Sequence, residues 1–441
     1  MTEFYQKEFQ KFQNGIHESW LKSIQEKALT SFEKLGFPTI KQESWKYTSV
    51  KSIVAQNFVL ATQLTKKDYE VKPLLEDSIA LVFINGVFRP ELSQLNDLPE
   101  GVVIKPLSQA LAQDEKKLQE ILKESSSQNI DQVDKSFVTW NCAFMQEGAW
   151  IHLQKNAVLN RPLELIYFSA PNGQAQVTHP RNVIVLDQGA QLEVLENYYG
   201  LKGEHPYLNN VVTEIFVDQN AQLKHYRVQE EAENAFHLAN LKFTQGRDSQ
   251  VQSHNIALGS AIARVELESV LREPGADCLM NGLYFTRHKQ HIDNQTSIDH
   301  AVEHCTSREF YRGILDDESK AVFNGRILVR AHAQKTVSEL SNRNLLLSKK
   351  AEVNTKPLLE IFADDVKCAH GATIGRLDES QVFYLRSRGI DAQWARHLLT
   401  YAFAAESFES IELKALQEKL KKILLERLQL DGNALLSAEA V

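Results

Sequence analysis

This sequence predicts a mainly β protein: a solenoid core preceded by mixed α/β structure and followed by helices. Three observations carry that prediction. Phrases of similar composition return at intervals of about thirty residues through the middle of the chain, as they do in stacked repeats. Between about residues 148 and 362, short segments rich in Val, Ile, Leu and Phe alternate with polar turns, and helical periodicity vanishes. On both flanks that periodicity is present. The boundaries fall at 1–135 for the N-terminal mixed region, 136–375 for the β core and 376–441 for the C-terminal helices.

Taken in order, Phe9, Phe12, Ile16, Trp20 and Ile24 recur at helical spacing until "FPTIKQESWKYTSV" (37–50) interrupts with Pro38 and clustered aromatics. "SIALVFINGVFRPEL" reads as a β-hairpin turned by Asn85-Gly86, a pair suited to the positive φ angles of a two-residue loop. Residues 107–125 predict one amphipathic helix, followed by the polar linker "SSSQNIDQVDKS".

In the core, "LDQGAQLEV" (186–194) returns 31 residues later as "VDQNAQLKH" (217–225), with a weaker echo in "GRDSQVQSH" (246–254). "EPGADCLMNG" (273–282) and "DESKAVFNG" (317–325) continue the series. "QKNAVLNRPLELI" (154–166) opens it and "KKAEVNTKPLLEI" (349–361) closes it. Each phrase has a Gly or Asn for the left-handed turn position, a small residue where the chain bends inward, and then an alternating strand. A sandwich of ordinary hairpins is the competing architecture for such a pattern.

After Gly375, Asp378 with Gln381 forms a capping box and Gly389 a stop; Asp391 caps a second helix; Leu413, Leu416, Leu420, Leu424 and Leu428 mark a third. Three helices at a solenoid's end would cap it, hold a partner, or both.

The formal net charge of −8 argues against a nucleic-acid-binding surface. No apolar run is long enough to span a bilayer, and the N-terminus lacks a signal-peptide core, so the expected location is cytoplasmic. Cys142, Cys278, Cys305 and Cys368 are scattered singly, which indicates neither a disulfide framework nor a zinc ribbon. No phosphate-loop motif occurs, so the chain is not expected to bind nucleotide.

Several constellations deserve weighing. In "ADDVKCAHGATIG" (363–375), the stretch from Leu359 to His370 reads as a strand, which puts Cys368 and His370 on one face. Thiolate and imidazole suit iron and other borderline metals, and two ligands make half a site completed by another chain. The plainer reading is a small buried thiol beside a hydrogen-bonded histidine. His300, Glu303 and His304 spell H-x-x-E-H, but Thr, Ser and Ile surround them in a strand-like context and the match is accidental. Asp316 with Asp317, or Asp364 with Asp365, would serve glycosidic chemistry in an intracellular carbohydrate-processing β-helix, or simply solvate turns. Trp394, Leu398, Tyr401, Ala405 and Phe408 form a stripe that packs on the core or accepts a partner.

Four segments, "FPTIKQESWKYT", "REFYRGILDDESKAVFNGRILV", "SNRNLLLSKKAEVNTKPLLEIFADDVKCAHGATIGRLDESQVFYLRSRGI" and "YAFAAESFE", strongly resemble the SufB/SufD family of iron–sulfur cluster assembly proteins. "KCAHGAT" is similar to the SufD branch. The resemblance is densest from about 300 to 410 and extends over the full length. It implies a right-handed parallel β-helix between the two flanking regions. It implies a non-catalytic scaffold of the SUF system that pairs its β-helix side by side with a SufB-like paralogue and receives a SufC-like ABC ATPase on its C-terminal helices. The isolated chain is also a candidate to pair with itself as a homodimer, and the remaining alternative is a pure adaptor that holds two partners without touching iron. The resemblance places His370 at the SufB interface, against a transient iron–sulfur cluster shared with a cysteine of that partner. Cys368 occupies the neighbouring family position and is carried as a second, less certain metal ligand.

Overall fold

A computed structural model describes residues 2–13, 18–62, 70–113, 115–127 and 133–430. Two sheets, of eleven and ten strands, face each other, and through the core successive strands of the chain alternate between them. Nearly all pairings are parallel. On one wall Gln191, Gln222, Gln250, Asp277, Thr306, Val337 and Lys367 stack in register. On the other, Leu208, Phe236, Ile262, His291, Lys320 and Glu352 do the same. The result is a flattened parallel β-solenoid of about eight turns, as the repeat predicted.

The repeated phrase is one corner of this coil. Gly189, Asn220, Asp248 and Gly275 each take a positive φ. The small residues that follow them, Ala190, Ala221, Ser249 and Ala276, are fully buried where the chain turns inward. Cys305 fills the same slot one turn later, so it belongs to packing. The later phrases divide between the coil's two edges: "DESKAVFNG" and "KKAEVN" lie on the edge opposite the 187–190 corner, because they lead from the ten-stranded sheet back to the eleven-stranded one.

The sheets begin before residue 136. Strand Ile79–Ile84 pairs in parallel with Leu163–Ser169, and Val102–Pro106 pairs antiparallel with Ala149–Leu153. The predicted hairpin is present, with Asn85 and Gly86 at φ 51° and 72°. The single helix predicted for 107–125 is two, Leu107–Ala112 and Lys116–Ser127. The chain bends between them, and Lys105 reaches Gln113 at 2.7 Å and Glu115 at 2.8 Å across the bend. Ile16 and the middle of the predicted linker lie outside the described residues.

Parallel sheets need cover on both faces. The N-terminal helices cover the outer face of the eleven-stranded sheet, where Phe32, Trp45, Trp140 and Phe144 pack with Val183, Val185 and Leu238. "ESWKYT" is the anchor: the Arg264 guanidinium lies 3.9 Å from the Trp45 ring centre, and the Thr48 hydroxyl donates to Asp293 at 2.5 Å. Of the C-terminal helices, Glu379–Ser387, Ala392–Ala405 and Lys414–Arg427, the last two lie against the wall of the coil. Phe408, Leu416, Leu420 and Leu424 fold back onto Tyr226, Val228, Ile256, Leu283 and Phe285 of the ten-stranded sheet, and Trp394 and Tyr401 join them. The aromatic stripe is therefore core packing. No helix among the described residues is long and apolar enough to cross a membrane.

Candidate functional site at the open end of the solenoid

The strand predicted from Leu359 to His370 is two strands, Glu352–Ile361 and Lys367–Gly375. Between them the corner 362–366 departs from the earlier corners: half-buried Val366 takes the slot before the strand, no residue there has a positive φ, and the small buried residue, Ala363, comes three places earlier. These two strands are the last in their respective sheets: Lys367–Gly375 pairs only with Val337–Leu346, and Glu352–Ile361 only with Lys320–Val329.

Cys368 and His370 do share a face, and the register shows which one. Cys368 stacks on Ser338, which stacks on Ser307; His370 stacks on Leu340, which stacks on Glu309. All four supporting residues are buried on the inner wall. Both candidate side chains therefore point toward the coil's axis, and His370 is exposed because no further turn lies above it. Across the mouth, the Glu352–Ile361 strand contributes half-buried Val353, Thr355 and Leu359.

Below the mouth the wall is polar in one column and sealed in the next. His300 Nε2 lies 2.8 Å from Ser307 Oγ, and Ser307 Oγ lies 2.7 Å from Ser338 Oγ, beneath Cys368. Under His370, Leu340 separates the imidazole from Glu309, whose carboxyl is pushed up to about 8 by burial. Burial also pushes the Cys368 thiol up. Metal binding at Cys368 requires loss of that proton, which a nearby cation or metal would have to drive. Among the described residues no three His, Cys, Asp or Glu side chains converge to form a complete metal cage, so this pair is at most part of one within the chain.

The rim is apolar. Phe362, in the last corner, and Ile374, on the last strand, are 66% and 52% exposed. Gly371 and Gly375 have open space where a Cβ would lie, and neither has a positive φ. Nothing in the chain itself requires glycine there, although glycine in a strand costs roughly 0.5–1 kcal/mol relative to alanine.

The other sequence candidates do not form sites. His300 ends a strand while Glu303 and His304 lie in the following corner, so the H-x-x-E-H residues share no helical face. Asp316 and Asp317 sit at one edge of the coil and Asp364 and Asp365 at the other; Asp316 caps its own turn at Asp317 N, 2.8 Å away, and Asp365 pairs with Lys335. The column under Cys368 escaped the sequence reading. Its signal was there, since Ser307, Ser338 and Cys368 occupy equivalent places after successive corners, but only register reveals that they stack.

A family model described as the SUF system FeS cluster assembly SufBD core domain matches residues 168–403, and one for the SufBD protein N-terminal region matches residues 1–165. The chain is 33% identical over 420 residues to an iron–sulfur cluster assembly SufBD family protein of Synechocystis, covering 93% of this chain and 91% of that one. It is 32% identical over 398 residues to the iron–sulfur cluster assembly protein SufD of Escherichia coli, with 90% of each chain covered. With SufD of Bacillus subtilis the identity is 24% over 414 residues, spanning 92% and 93% of the two chains.

Proposed function

The chain belongs to the SufB/SufD family of SUF iron–sulfur cluster assembly proteins, and from that premise we propose that it is a non-catalytic, cytoplasmic scaffold subunit whose open solenoid end pairs with a SufB-like paralogue. His370 faces the nascent cluster in the closed interface, with Cys368 as a second contact. The cluster is cargo, built there and passed on. A SufC-like ATPase docks on the C-terminal helices and drives the assembly.

The observation that carries this reading is the uncovered last turn. Edge strands left free invite pairing with another chain unless charge, proline or a covering element blunts them. Here the edge presents His370 and Cys368 inside a rim of exposed apolar side chains, with glycines at two positions where only an approaching neighbour would need them. The floor of the mouth is firm sheet, which fixes the two ligands to a rigid element.

Anaerobic reconstitution with a SufB-like and a SufC-like partner tests it. His370→Ala is expected to leave the complex intact by gel filtration while lowering cluster yield at least tenfold. Full cluster yield from an intact His370→Ala complex removes that residue's role, and failure of the wild-type chain to co-purify with the paralogue removes the interface.

A further inference from the structure

The middle of the solenoid holds a sealed network of charge that the mouth does not use. Arg227, on the inner wall of strand Gln222–Glu230, is fully buried. Its Nη1 donates to Asn255 of the next turn at 2.9 Å, and its Nη2 contacts His237 Nε2 on the facing sheet. Its guanidinium lies 5.1 Å from the Tyr198 ring centre of the preceding turn. A guanidinium only donates, so His237 accepts at Nε2 and carries its proton on Nδ1, 2.8 Å from Glu231. Burial holds that imidazole below its ordinary pKa, in keeping with a neutral ring.

Glu231 is held further by Gln229 at 2.8 Å, by Ser260 at 3.2 Å and by Asn209. Glu196, in register with Arg227, accepts from Tyr198 at 2.6 Å and lies 3.4 Å from His225, whose other ring nitrogen is 3.0 Å from Ser253. Asn255 passes the network on to Asn294 at 3.0 Å. Apart from Glu231 and Ser260, which lie in corners, the groups sit on six strands of both walls.

A buried ion network of this kind is weak evidence for stability, because apolar residues of equal volume often do as well. What apolar residues cannot do is tell one register from another. On this inner wall Leu192, Leu223 and Val251 stack in one apolar column and Glu196, Arg227 and Asn255 in a polar one, and a slip of two residues keeps every side chain on its own face. Shifted by two, Leu223 would meet Ser253 and Arg227 would meet Ala257 in place of Asn255. The shift would strip Asn255 from the guanidinium and Ser253 from His225, leaving buried polar groups without the partners that the native stacking gives them. We propose that the Arg227 network is a register lock that dictates how the central turns stack. The rival is that the tight corners set the register alone.

Engineered cysteine pairs in the full-length chain, in a Cys368→Ala background, read register directly. Gln222→Cys with Gln250→Cys reports the native stacking, and Gln222→Cys with Gln252→Cys a two-residue slip. Neighbouring parallel strands lie within disulfide reach. In an otherwise native chain only the first pair is expected to crosslink after refolding. When Glu196→Leu, His225→Leu, Arg227→Met, Glu231→Gln and His237→Leu are combined, the slipped crosslink is expected to rise to at least a tenth of the native one. Should that variant fail to fold, Arg227→Lys keeps the charge but cannot reach His237 and Asn255 together, and the same rise is expected. Exclusive native crosslinking in whichever of the two folds shows that the corners suffice and overturns the proposal.

Discussion

The two ends of the solenoid are made from the same kind of strand and treated in opposite ways. At the first end all six residues of Ile79–Ile84 are buried. The strand is folded under its own hairpin, Phe83 stacks on Tyr167 at 4.9 Å and Tyr167 on Tyr198 at 4.8 Å. Asn85 seals the corner, accepting from Ala170 N at 2.8 Å and donating to Ala170 O at 3.0 Å. At the last end, every residue of Lys367–Gly375 except half-buried Cys368 is exposed. Repeat folds need polar caps at their termini to stay in solution as single chains. Here the last two C-terminal helices lie along the wall instead. The difference teaches that the closed end is part of this chain's own core while the open end is not, and the proposed pairing rests on that contrast.

That contrast can be broken by experiment. The largest effect belongs to the closed end, where Phe83→Ala is expected to cost about 3–5 kcal/mol by opening a cavity in the aromatic stack; the denaturant midpoint of the isolated chain measures it. Next comes the carboxyl two turns beneath the open end. Glu309 has a folded pKa of about 8 against an ordinary 4.5. Below 4.5 both folded and unfolded chains carry the proton. Between there and 8 the folded chain holds a proton the unfolded chain has lost, so stability falls as pH rises through that window. Glu309→Gln is expected to flatten this slope, gaining about 1.4 kcal/mol over wild type for each unit of that pKa difference by pH 9 and little at pH 4. Melting curves across that range check it, and an unchanged slope would show that Glu309 is ionised where it sits.

A smaller effect is expected in the second C-terminal helix. Asp391 accepts from Gln393 N at 2.8 Å and Trp394 N at 3.1 Å, and Asp391→Ala should cost about 1 kcal/mol in helix stability, visible in hydrogen exchange. Ile374→Asp at the open rim should shift the isolated chain by no more than about 0.5 kcal/mol and yet abolish pairing with the paralogue in gel filtration. A large loss of stability there would mean that the open end is core after all, and the comparison would collapse.

The repeat, the small inward residue after each corner, the Asn85-Gly86 turn and the helix caps Asp378 and Asp391 were all legible in the chain, because each is a local demand of the backbone. So was the shared face of Cys368 and His370, which needs only the two-residue period of a strand. The corner at 362–366 was not. Its "FADDV" lacks the Gly or Asn that flagged earlier corners, and Leu and Ile on both sides masked it as continuous strand. The direction of the helical stripe at Trp394 was equally hidden, since an apolar face does not say which apolar surface it meets.

What the sequence determined by itself is the repeat unit: where the chain bends, which residues alternate inward, and which thiol and imidazole travel together. Those follow from torsion preferences and burial, which act over a few residues. The tertiary structure alone decided that the last two helices run back along the wall, and that Cys368 and His370 crown columns running down the coil at its last turn. Stacking between residues some thirty places apart fixes those features, and no local preference encodes which turn comes last.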